Sequence, residues 1–98
     1  MSRGTASTTG ALAVGTTVVF NGRNTLNSIQ VSTDGVNNAT CTVFDNTAAS
    51  GKVLAILTVL GANLNGGRSF DNALRAENGL TVVVAGTGAT AYISFGAT

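Results

Sequence analysis

The stretch Gly79-Leu80-Thr81-Val82-Val83-Val84-Ala85-Gly86-Thr87-Gly88-Ala89-Thr90-Ala91-Tyr92-Ile93-Ser94-Phe95 decides the fold class. Its first half is a run of β-branched and apolar residues, and its second half alternates. Ala89, Ala91, Ile93 and Phe95 share one face of an extended chain, while Thr90, Tyr92 and Ser94 share the other. Leu80, Val82 and Val84 likewise oppose Thr81 and Val83. Between the halves, Gly86-Thr87-Gly88 supplies the positive φ that tight turns require, so the segment reads as a β-hairpin.

The same texture continues upstream. Asp34-Gly35-Val36-Asn37-Asn38 leads into Ala39-Thr40-Cys41-Thr42-Val43 and reads as a second hairpin. Strands are expected near Leu12–Phe20, Leu26–Thr33, Ala39–Asp45, Lys52–Gly61, Leu80–Ala85 and Ala89–Phe95. Turn signals recur every eight to twelve residues and helical periodicity is scarce. That pattern belongs to an all-β protein, a compact antiparallel β-sandwich or jelly roll. Residues 69–78 admit two readings. Ser69–Leu74 is a short strand, or Asp71 caps one or two helical turns that end before Gly79; strand pairing elsewhere favours the extended form.

Met1 to Gly10, a low-complexity run of small residues, is expected to be a flexible N-terminal arm, because its apolar content cannot offset the entropy of ordering it. Residues 11–98 form a single domain, long enough to bury about two-thirds of the unfolded surface. Within it Val53-Leu54-Ala55-Ile56-Leu57-Thr58-Val59-Leu60 is apolar on both faces of a strand. One face of a sandwich strand meets the core. The other must meet a loop, the N-terminal arm or a neighbouring subunit.

Only 9% of the residues are charged and the net charge is +1, against about 25% charged in an average domain. Thr, Asn, Ser and Gly take the place of the missing charges, and a neutral surface offers little repulsion to self-association. Two states fit that composition: an assembled protein, or a monomer kept soluble by hydroxyl and amide groups. Arg3, Arg23, Lys52, Arg68 and Arg75 are scattered and align no row of charge for phosphates, so no nucleic-acid partner is expected. Val53 to Leu60, the longest strongly apolar stretch, is far short of the ~20 residues that span a bilayer, so no membrane partner is expected either. The N-terminal residues lack the apolar segment of a signal peptide, which points to a cytoplasmic origin.

Catalytic chemistry is sparse. Histidine, the commonest general acid–base residue, is absent. The acids are Asp34, Asp45, Asp71 and Glu77, and Asp34-Gly35 and Asp45-Asn46 are turn contexts in which a carboxylate binds backbone N–H groups. Cys41, the single cysteine, alternates with Val43 and reads as a small core residue rather than a nucleophile. Gly86-Thr87-Gly88 is followed by no Gly-Lys-Ser/Thr, and the acids lack the spacing of a calcium loop. No enzyme activity, cofactor, metal or small-molecule substrate is expected. A pocket lined by Phe44, Phe70 or Phe95 would instead favour a small-ligand domain.

Three segments taken together resemble a known group. They are Asn27-Ser28-Ile29-Gln30-Val31, Ala39-Thr40-Cys41-Thr42-Val43-Phe44-Asp45-Asn46 running on to Leu54, and Gly79 to Ala89 with the ending Tyr92-Ile93-Ser94-Phe95-Gly96. Over about 70 residues the chain resembles the small β-sandwich virion proteins of tailed bacteriophages, the capsid cement or decoration proteins and related modules of fibres and tails. The resemblance implies a non-enzymatic homotrimer on the capsid surface, assembled in the host cytoplasm, that binds the outer face of the major capsid protein lattice and stabilises the shell. The arm and the two-faced strand fit that role, and the interface is expected on Arg3 and Thr5 of the one and on Leu54, Ile56, Leu57 and Leu60 of the other. A tail, baseplate or fibre module, structural or receptor-binding, is the alternative the same likeness allows.

Overall fold

β-Branched residues between glycine-marked corners give a chain that is almost entirely extended. The computed structural model describes residues 7–97. Its strands are β1 (Ser7–Thr8), β2 (Leu12–Ala13), β3 (Gly15–Asn21), β4 (Asn24–Ser32), β5 (Ala39–Phe44), β6 (Val53–Val59), β7 (Asn65–Ala76), β8 (Gly79–Ala85) and β9 (Thr90–Ala97), with one 3-10 turn at Gly61–Asn63. They form two antiparallel sheets. In one the order is β3-β8-β5-β6. In the other, β9 lies between β4 and the β1–β2 segment, and β7 closes the far side of β4.

Apart from the β5–β6 hairpin, every connection from β2 onward passes from one sheet to the other. With β1 and β2 taken as halves of one interrupted strand, this is the strand order of a jelly roll. The all-β sandwich expected from the sequence is therefore the observed fold. Strand β8 lies between β3 and β5, and β9 lies between β4 and the β1–β2 segment, so the last two strands fill gaps left by earlier ones.

The core is built in cross-strand rows. Val43 faces Val82 and Cys41 faces Val84 in one sheet; Ile29 faces Ile93 and Val31 faces Ala91 in the other. All are buried, with Leu26 and Leu80. Each fully buried Val, Leu or Ile contributes about 1.5–3 kcal/mol relative to exposure. The alternation read in residues 80–95 holds apart from Thr81, which is buried beneath the loop after β5: Leu80, Val82, Val84, Ala89, Ala91 and Ile93 are inside, and Tyr92 is outside.

Three sequence expectations need correction. The two glycine-marked segments are not hairpins. β4 pairs with β9 and β5 with β8, so residues 33–38 and 86–89 are corners that carry the chain between sheets. The two corners nest. Gly86 has a φ of +112°, and a Cβ there would collide with the carbonyl oxygen of Asn38. A Cβ on Gly88 would stand 2.7 Å from Asp34 Cβ. The glycines signal a tight turn in either case, and sequence spacing does not reveal whether the flanking strands pair. Next, Leu12–Phe20 is not one strand. It breaks at Val14 and changes sheets, which is how sandwich corners are made. Residues 69–78, by contrast, take the extended form that the sequence favours, since β7 continues to Ala76 along β4. Lastly, pairing begins at Ser7 within the segment read as an arm. Ser7 and Thr8 pair with Phe95 and Ser94, and the Thr9 N–H donates to the Ile93 carbonyl at 3.0 Å.

Candidate interaction surface

Two carboxylates, Asp34 and Asp45, brace the corners. Asp45 follows β5, is buried, and accepts the N–H groups of Asn78 at 2.8 Å and Glu77 at 3.1 Å. Burial pushes its carboxyl pKa up. The N–H groups of Asn78, Glu77 and Gly79 and the nearby Lys52 charge push it down further, leaving it below the ordinary 3.8. One carboxylate thus ties the β5–β6 loop to the β7–β8 turn. Asp34 does the same for its own corner. It accepts from the N–H groups of Asn37 and Val36 and from the Asn37 amide, and these bonds, the Asn37 N–H foremost, lower its pKa. Glu77 meets Arg23 at 3.5 Å and Arg75 at 3.9 Å, all three exposed, an arrangement worth under about 1 kcal/mol. Cys41 is buried between sheets, and burial pushes its thiol up to about 11. It is a protonated core residue at neutral pH, lacking the electropositive setting of a nucleophile.

The sheet β3-β8-β5-β6 is different. None of its strands contains a charged residue. Its outer face carries the cross-strand row Thr16, Val83, Thr42 and Ile56, and beside it Ala85, Thr40 and Thr58. The β5–β6 loop folds back over the end of β8, where the Thr81 hydroxyl donates to the Asn46 carbonyl at 2.7 Å. It does not reach Ile56, which stays 53% exposed, and Val18 at the opposite edge is equally open.

The six residues assigned to an interface therefore separate. Leu54 and Leu57 are partly buried against the core. Ile56 and Leu60 are exposed. Arg3 and Thr5 lie outside the described residues. No family model, curated protein or solved structure matches this chain. The surface is accordingly read from its own chemistry.

Of the three phenylalanines considered for a pocket, Phe95 lines a cleft. It lies where the β1–β2 segment faces β3, between Thr8, Thr9 and Leu12 on one side and Thr17, Val18 and Val19 on the other, and has a volume of about 220 Å³. Drug-sized ligands occupy ~300–1,000 Å³, so the cleft suits nothing larger than a side chain. Sequence reading missed a second exposed apolar group at the nested-corner end. Val36 is 80% exposed, and Leu64 is exposed beside Gly35. Leu64 has φ +68° and ψ −47°, close to the rare and strained γ-turn conformation. Flanked by Asn63 and Asn65, it carries no local signal that it, and not a neighbour, takes the positive φ.

Proposed function

We propose that the chain is a non-enzymatic structural protein of a phage virion, a cement protein that binds the outer face of the major capsid protein lattice and stabilises the shell. The observation that supports it most is the uncharged sheet. A face of threonine, valine and isoleucine, with Ile56 and Val18 half open, fits dense packing against other protein subunits, where desolvating charges would oppose association. The jelly-roll strand order suits the same role, since such domains recur in viral shells. The resemblance of the Ala39–Asn46 and Gly79–Ala89 segments adds the capsid and the trimer to that reading. Binding to the assembled lattice and not to free subunits stabilises the lattice by mass action.

The test is occupancy. Protein added to expanded shells that lack it should bind in a number matching the lattice symmetry, and those shells should withstand higher temperature than bare ones. Purified particles carrying the chain in a few copies only would reject the cement role. They would support the tail, baseplate or fibre alternative, though the single tyrosine, Tyr92, and the absence of tryptophan weigh against a glycan receptor.

A further inference from the structure

Among the described residues the sandwich leaves four edges: the β1–β2 segment and β7 on one sheet, β3 and β6 on the other. Three are interrupted. The β1–β2 edge breaks at Gly10, φ +76°, where residues 9–11 oppose Tyr92 and Ile93 alone. In β7, residues 70–73 oppose Asn27 alone, and the exposed Arg68 and Arg75 flank that shift. In β3 the register shifts between Val18 and Phe20. Breaks, bulges and charges are the devices by which proteins keep sheet edges from pairing with other chains.

β6 has none of these along most of its length. Its one irregularity is at the start, and from Ala55 to Val59 the pairing with β5 is continuous. It contains no charge, and the chain contains no proline. Val53 and Ile56, with Leu60 just beyond, are among the exposed large apolar residues. We propose that β6 is an assembly edge, pairing antiparallel with β6 of a second copy of this chain across a twofold axis and joining two four-stranded sheets into one of eight.

The partner is a second copy because the edge is complementary to itself. Antiparallel pairing of identical strands is isologous. With the axis at Ile56, that residue meets its own counterpart, Leu54 meets Thr58, and Ala55 meets Leu57. Inward residues then face inward ones, so the alternation of the core carries across the junction. No register of β6 sets like charges opposite each other, and a net charge of +1 raises little barrier between copies. The regular part of the edge, five residues from Ala55 to Val59, makes a contact only ~17 Å long, at the small end for a stable interface, so dimerisation is concentration-dependent.

The inference does not depend on where the protein works. Its test is the mass of the full chain in solution from micromolar to millimolar concentration, with amide hydrogen exchange read on the edges. Twice the 9.7 kDa of one chain at the upper end is expected, with β6 amides protected and β3 edge amides exchanging. Ile56→Lys should abolish the dimer. Thr58→Lys, at a position already exposed, should do the same and guards against Ile56→Lys failing to fold. A monomer throughout, with β6 amides exchanging as fast as those of β3, overturns the proposal. So does any oligomer, a trimer included, that survives Thr58→Lys with β6 unprotected. Neither result touches the number of copies on a particle, so failure here and failure of the cement role remain distinct.

Discussion

At Asp45 a carboxylate with almost no exposure accepts two backbone N–H groups from the opposite turn, and the energetics of that bond set a pH dependence. Its folded pKa lies below the unfolded value. Its stabilisation is therefore complete above about pH 4 and is lost as the pH falls through the lower, folded value. The urea midpoint should drop on acidification through that window, and Asp45→Asn should shrink the drop. Asp45→Ala should cost about 1–3 kcal/mol at neutral pH, the worth of charge-assisted bonds whose donors water partly recovers. Cys41 makes the converse case. With its thiol pushed up to about 11 and no exposure, it should react with a disulfide reagent only as fast as the protein opens. Rapid labelling of the native protein would show a thiol accessible from outside the core.

Among the elements, β6 places Ile56 and Leu57 on opposite faces, and the structure says which is which. Leu57 packs against the core and faces Cys41, whereas Ile56 continues the outer row. Leu57→Asp buries a charge and should cost roughly 3 kcal/mol or more, while Ile56→Asp should stay within about 1 kcal/mol in thermal melts. Equal losses would mean that the outer face is as enclosed as the inner one. Sequence alternation made this division legible in β5 and β9, where apolar and polar residues take turns. It could not do so in Val53–Leu60, where both faces are apolar, and only the pairing with Cys41 and Thr42 resolves it. Nor could the corners be read. Gly35 and Gly86 announce turns, but whether a turn returns the chain beside itself or to the opposite sheet depends on β8 and β9, distant in sequence.

For the molecule as a whole, the N-terminal segment is structural at least from Ser7. Removing residues 1–6 deletes none of the described pairings. Removing residues 1–9 also deletes β1, the Thr9 N–H to Ile93 bond and the 3.2 Å bond from the Ile93 N–H to Thr9 Oγ1. The longer truncation should cost about 2–3 kcal/mol more than the shorter, read as a lower melting temperature at an unchanged circular dichroism spectrum. Identical melting would show that β1 adds nothing to the sheet. The insertion of β8 and β9 between strands that precede them also governs time. As the chain leaves the ribosome, the residues up to 78 carry β3 and β5 without the strand that joins them, and β4 without its neighbour on that side. Neither sheet can close until β8 and β9 emerge, at ~5–20 residues per second. Until residues 79–97 have emerged, the earlier strands remain unjoined, with little charge to keep them apart, so this domain's folding waits on β8 and β9.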